Sequence, residues 1–191
     1  MKLKLIAVTL LACMAAVAAF GQSGDNLLAF REMYKSGTVP SNGTSAVQTL
    51  TVGAVSAGTF TLTFEGRTTP AISWANVNAT LVNNIDTALE TLASIGTNGV
   101  AVVAGTITAG ANGTITVTFG GNRSKQPVPV MTTNSSGLTG GTITVATTTA
   151  GVAADGRSSP RGTLVCAGDT GKWYRNEGTP PNPTWVIMST P

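Results

Sequence analysis

Residues 58–64, Gly58-Thr59-Phe60-Thr61-Leu62-Thr63-Phe64, return as Gly113-Thr114-Ile115-Thr116-Val117-Thr118-Phe119 and more loosely as Gly141-Thr142-Ile143-Thr144-Val145. In each copy apolar residues hold every second position and threonine fills the alternate ones, which is the period of a strand with one buried face. Threonine is β-branched and polar, so it suits the solvated side of such a strand. Between the first two copies Leu81, Ile85, Ala88, Leu89 and Leu92 recur at three- and four-residue spacing. With Asn78 in capping position and Gly96 as terminator, the spacing predicts one helix over 78–95. Asn83, Asn84, Asp86, Thr87 and Glu90 fall mostly on its other face, so this helix covers a sheet.

Outward from the repeats, Val47–Val55 alternates in the same way and runs through Ser56-Ala57-Gly58 into the first copy, a hairpin signal. The turn Glu65-Gly66-Arg67 then leads to a short strand at 71–74, completing a small meander. After the helix, Val100–Val103 and Thr106–Thr108 precede the second copy. Gln126–Met131 leads through Asn134-Ser135-Ser136-Gly137 to the third, and Pro127 and Pro129 suggest an edge. The expected fold is α+β and β-rich: an antiparallel sheet or small sandwich with one packed helix over 45–149.

Residues 150–161 read as a linker of small residues and charges. Beyond them, 162–191 carries three short strand signals, at Gly162–Cys166, Lys172–Asn176 and Thr184–Met188. This predicts a small C-terminal three-stranded β meander, too small to bury a core alone. At the other end, Met1–Gly21 has a basic start, an apolar run and small residues before Gln22, the pattern of a signal peptide cleaved after Gly21 or Ala18. An uncleaved anchor, or lipidation at Cys13 in Leu10-Leu11-Ala12-Cys13, are the other readings of this segment. Residues 22–44 form an arm whose Leu27, Leu28, Phe30, Met33 and Tyr34 suit a short helix behind Asp25. Such a helix is marginal alone, so it docks on the main module or contacts a partner.

Composition narrows the function classes. Of the 191 residues 42% are hydrophobic but only 10% are charged, well under the usual share of about a quarter. The formal charge of +3 includes Lys2 and Lys4 of the leader, and no basic cluster remains to mark a nucleic-acid surface. Arg123 and Lys125 are a lone local pair on a loop. The chain has no histidine, which removes the commonest general base and every Ser/His/Asp or Cys/His arrangement. Asp86 and Glu90 stand four apart on an exposed helix face and read as solvated surface. Asp155, Asp169 and Glu177 are scattered, and the glycines of 137–141 lack the helix and lysine of a phosphate loop. No catalytic residue, metal ligand or cofactor is expected. If Cys13 leaves with the leader, Cys166 is a lone thiol on a strand.

One aromatic group stands out: Trp173, Tyr174 and Trp185, with Arg175 beside them. It is either a ligand or partner contact, for which a sugar ring is the natural occupant, or the small core of the C-terminal meander.

The pattern resembles modules of bacteriophage virion proteins, in which a Gly-Thr-Phe-Thr-Leu-like strand precedes a Leu/Ala-rich helix ending Ile-Gly and then another Thr-rich strand. The matching residues are Gly58–Phe64, Leu81–Gly96, Gly113–Phe119 and Ser136-Gly137-Leu138-Thr139-Gly140-Gly141. The tail, Gly162-Thr163-Leu164 with Lys172-Trp173-Tyr174-Arg175-Asn176 and Pro183-Thr184-Trp185, resembles short end-modules of phage fibre and surface proteins. This resemblance implies a non-enzymatic structural role in tail or capsid decoration or as a fibre-like module. Its partners would be copies of itself or other virion or surface proteins. The leader departs from phages that assemble in the cytoplasm, so virion and exported cell-surface locations both stand. The alternative is an exported glycan-binding or adhesin-type module acting through Trp173, Tyr174, Arg175 and Trp185.

Overall fold

Every strand with the threonine period buries its apolar side, and the described residues form strands and one α-helix around that constraint. The structure is a computed structural model that describes residues 39–105, 107, 112–168 and 170–189. The leader, the helix expected in the arm, and Thr106 and Thr108 lie outside the described residues. The strands are β1 (Val47–Gly53), β2 (Ala57–Phe64), β3 (Arg67–Thr68), β4 (Ile72–Ser73), β5 (Val100–Ala104) and β6 (Gly113–Phe119), then β7 (Thr132–Asn134), β8 (Leu138–Thr139), β9 (Thr142–Thr149), β10 (Leu164–Cys166), β11 (Trp173–Asn176) and β12 (Trp185–Ser189), with helix α1 (Asn78–Glu90) between β4 and β5. They fall into two compact units, 43–153 and a second that joins 39–42 to 154–189. Among the described residues no helix is long and apolar enough to cross a membrane.

The first unit has two antiparallel sheets. One is four-stranded in the order β5-β6-β1-β9, and the other gathers β3, β4, β7 and β8 around β2. The first two repeats therefore sit in different sheets and look at each other. Phe60, Leu62 and Phe64 of β2 and Ile115, Val117 and Phe119 of β6 are all buried in one core. Phe64 and Phe119, the last residues of the two copies, meet with ring centroids 5.1 Å apart, within the range in which aromatic pairs attract. The third copy, β9, adds buried Ile143, with Val145 packed against the core. At the start of the first copy Gly58 has φ 102°, and a Cβ there would lie 2.1 Å from the Gly137 carbonyl oxygen, so only glycine fits.

The hairpin expected between β1 and β2 is corrected. β1 lies between β6 and β9, paired to both, so neither of its edges is open to β2. Ala54 turns the chain at φ 51°, Val55 is fully buried, and β2 starts against β8 instead, with Gly58 opposite Leu138. The chain thus crosses the core. Of the expected meander, the strand at 71–74 does pair antiparallel with β2, as β4, with the short β3 beside it, whereas β1 takes no part.

Helix α1 buries Leu81, Ile85, Ala88 and Leu89 as its period requires, but it ends at Glu90. Leu92 and Ile95, also buried, follow in tight turns in which Leu92 N–H donates to Leu89 O and Ile95 N–H to Leu92 O. Asn78 is not its cap. Val77 holds that place without a side-chain bond, while the Asn78 amide donates to Gly105 O at 2.6 Å and accepts from Ile107 N–H at 3.2 Å. Asn78 therefore ties the helix start to the chain leaving β5.

One polar side chain lies wholly inside this core. Gln48 of β1 shares the inward face of Leu50 and Val52 and is 0% exposed. Its amide donates to Pro129 O at 2.8 Å and accepts from Met131 N–H at 2.9 Å. Pro127 and Pro129 stand outside any strand, just before β7, and Gln48 supplies the partners that a neighbouring strand would have given. Two substitutions test this packing in urea titrations. Phe119→Ala should lower stability by about 3–5 kcal/mol, and Gln48→Leu, which orphans the buried Met131 N–H and the partly buried Pro129 O, by about 1–3 kcal/mol.

Candidate functional site

The residues singled out for contact lie in the second unit, a three-stranded antiparallel sheet in the order β10-β11-β12. Strand alternation divides them. Tyr174 and Asn176 of β11 point inward and are buried, whereas Trp173 is half-buried and Arg175 exposed. Trp185, opposite Asn176 in the ladder, is 5% exposed and joins Val165, Ala167 and Tyr174 in one buried cluster. Its indole N–H donates to Asp155 O at 3.0 Å. Tyr174 and Trp185 thus form the interior of the meander, and Trp173 and Arg175 are not brought together with them as one aromatic platform. Arg175 makes an ion pair with Glu177. Beside that pair Val186, Ile187 and Met188 line a shallow cavity of about 150 Å³.

Asn176 organises this unit and was not singled out in the sequence. It is 0% exposed. Its side-chain amide donates to Ser159 O and Pro160 O, and its side-chain oxygen accepts from Gly178 N–H and Thr184 N–H. Of the stretch 150–161 read as a linker, residues 154–161 are held here by Asn176 and by Asp155, whose carboxylate accepts from Ser41 N–H at 2.8 Å. Cys166 is buried on β10 and disulfide-bonded; the lone-thiol reading applies to a chain that has lost Cys13 with the leader, and Cys13 lies outside the described residues.

The first unit offers a second surface. On the outer face of the four-stranded sheet Thr51 stands opposite Thr114 and Thr144, and Thr49 opposite Thr116 and Ala146. Val103 lies opposite Thr116 and Ala101 opposite Thr118. None of these side chains is charged. Neighbouring positions repeat at about 4.8 Å across strands and about 6.8 Å along them. Some hydroxyls are engaged within the sheet: Thr49 with Thr148, and Thr116 donating to Val103 O at 3.3 Å. The edges differ. At β9, Ile143 N–H donates to the Ser135 hydroxyl and Ile143 O accepts from the Thr133 hydroxyl, which blunts that edge. At β5 no further strand pairs among the described residues, and Val103 is 63% exposed.

The charged residues weighed earlier serve the fold. Arg123 is engaged on three sides: it pairs with Glu65, donates to Ser94 O at 2.9 Å, and lies 5.7 Å over the Phe64 ring. It braces the Phe64–Phe119 contact from outside. Among the described residues no three of His, Cys, Asp and Glu gather as a metal site would need. Partial burial, and after it the Glu90 carboxylate, raises the Asp86 carboxyl above its ordinary value.

No protein-family model and no curated protein matches the chain.

Two expectations follow from these side chains. A raised folded-state value means that the associated stability is complete below the unfolded aspartate value of about 3.9 and is lost as pH rises through the folded one. Asp86→Asn should therefore stabilise at neutral pH by about 0.2–0.5 kcal/mol, as expected for relief of a like-charge pair four residues apart, and bring no gain in acid, as read from thermal melts at both pH values. Trp185→Ala should cost about 3–5 kcal/mol in the second unit, whereas Trp173→Ala costs far less; tryptophan fluorescence on urea titration separates the two.

Proposed function

We propose that the chain is a non-enzymatic structural protein that assembles through β surfaces with copies of itself or with neighbouring proteins of a virion or an exported surface layer, as a tail, capsid-decoration or fibre-like module. The observation that supports this best is the outer face of the four-stranded sheet. It is an uncharged array of threonine, alanine and valine on regular registers, bordered by β5, which has exposed Val103 and pairs with no further strand among the described residues. Open edges and neutral faces favour lateral association, because little charge repulsion or desolvation of ions opposes contact. The virion resemblance of the repeats points the same way, and the leader-like Met1–Gly21 supports an exported location. A glycan-binding module has less support, since Tyr174 and Trp185 are interior residues and Trp173 and Arg175 remain as its outer contacts.

Sedimentation velocity over a series of concentrations tests the reading. The wild-type chain should gain mass as it is concentrated, and Thr51→Lys on the face or Val103→Lys at the edge should return it to monomer. A wild type that stays monomeric throughout overturns the proposal; undiminished association of both variants removes this sheet as the surface.

A further inference from the structure

Strand β12 carries a pattern that its place in the sheet leaves unused. Trp185-Val186-Ile187-Met188 is an unbroken apolar run, the pattern of a strand covered on both faces. Yet β12 stands at the end of the order β10-β11-β12, with β11 as its one strand neighbour among the described residues. Alternation puts Val186 and Met188 on the outer face of this sheet with Arg175, and Ile187 on the inner face with Tyr174 and Trp185. Val186, Ile187 and Met188 are exposed at 38%, 42% and 50%. No charge or proline stands among them, although such residues are the usual guards of an edge.

The backbone groups on the far side of β12 are also defined. Glu177 N–H donates to Thr184 O, so Thr184 and Val186 turn their groups toward β11, and Trp185 and Ile187 turn theirs away. Asn42 takes Trp185 N–H, its side-chain oxygen accepting at 2.6 Å, and closes that end of the edge. Ile187 N–H and O meet no further strand among the described residues. A donor and an acceptor offered by one residue are satisfied together by an antiparallel strand that offers the same pair. A second β12 is such a strand.

We propose that β12 pairs antiparallel with β12 of a second copy, about a two-fold axis through Ile187. This register serves both faces. On the outer face Val186 comes opposite the second copy's Met188, and Met188 opposite its Val186, which gathers four apolar side chains. On the inner face the two Ile187 side chains meet. No unpaired charge enters the contact, because Arg175 is held by Glu177. This pairing rests on the assembly proposed above and names one contact within it. Five residues a side bury far less than the roughly 1,000 Å² that a stable interface needs. The strands therefore pair between copies that the first unit already holds at high effective concentration.

Disulfide cross-linking of the full chain tests the register, at concentrations at which the wild type associates. Opposite one another, Val186 and the second copy's Met188 have Cα atoms about 4.5 Å apart, within disulfide reach. Val186 to Val186, or Met188 to Met188, is about 8 Å and out of reach. Chains with Val186→Cys mixed with chains with Met188→Cys should link under mild oxidation at least several-fold more than either variant alone, with mass spectrometry locating the bond. Both side chains are exposed, so the variants keep the fold. An unlinked mixture, while the wild-type mass still rises with concentration, overturns the β12 pairing and leaves the assembly reading standing. Equal linking by one variant alone shows another register and overturns the pairing as well. A wild type that stays single at every concentration overturns both.

Discussion

The first unit depends on two aromatic rings meeting across its core. Phe64 ends one copy of the repeated strand and Phe119 ends the other, and their contact joins the two sheets. Because side chains alternate along a strand, fixing this contact fixes the inward set on both sides: Phe60 and Leu62 from one sheet, Ile115 and Val117 from the other. Every intervening threonine is then turned outward. Arg123 closes the contact from the rim by pairing with Glu65 and lying over the Phe64 ring. The helix covers the part of the core that two short sheets leave open.

The same alternation generates the surface. An outward row of threonine follows from an inward row of phenylalanine, leucine, isoleucine and valine, so the neutral face is built by the same residues that specify the core. With a tenth of its residues charged, the chain spends carboxylates and guanidinium groups on bracing, as at Arg123–Glu65 and Arg175–Glu177. A chemistry of contact between β surfaces suits such an exterior better than one that moves protons or binds phosphate.

The strands and the helix were legible because period two and the three- and four-residue spacing are local properties. Gly58–Phe64, Gly113–Phe119 and Leu81–Leu89 could be read without knowing their partners. Pairing was not legible in the same way. The turn at 56–58 looks like a hairpin, but whether β2 can lie beside β1 depends on β6 and β9 having taken both edges, and those lie far along the chain. Gln48 and Asn176 escaped for a related reason. An amide that satisfies Pro129 and Met131 across the core, or one that gathers Ser159, Pro160, Gly178 and Thr184, has the same local sequence context as a surface amide. Of the aromatic group, Trp173 and Tyr174 could be assigned to opposite faces by alternation alone, but Trp185 required the register of β12.

The direct test of the account is the native mass of the protein recovered from its source without dilution or denaturation. An assembly protein is predicted to be found in multiples of its own mass or in a defined complex with other structural proteins. A native pool made up of the single chain would contradict it.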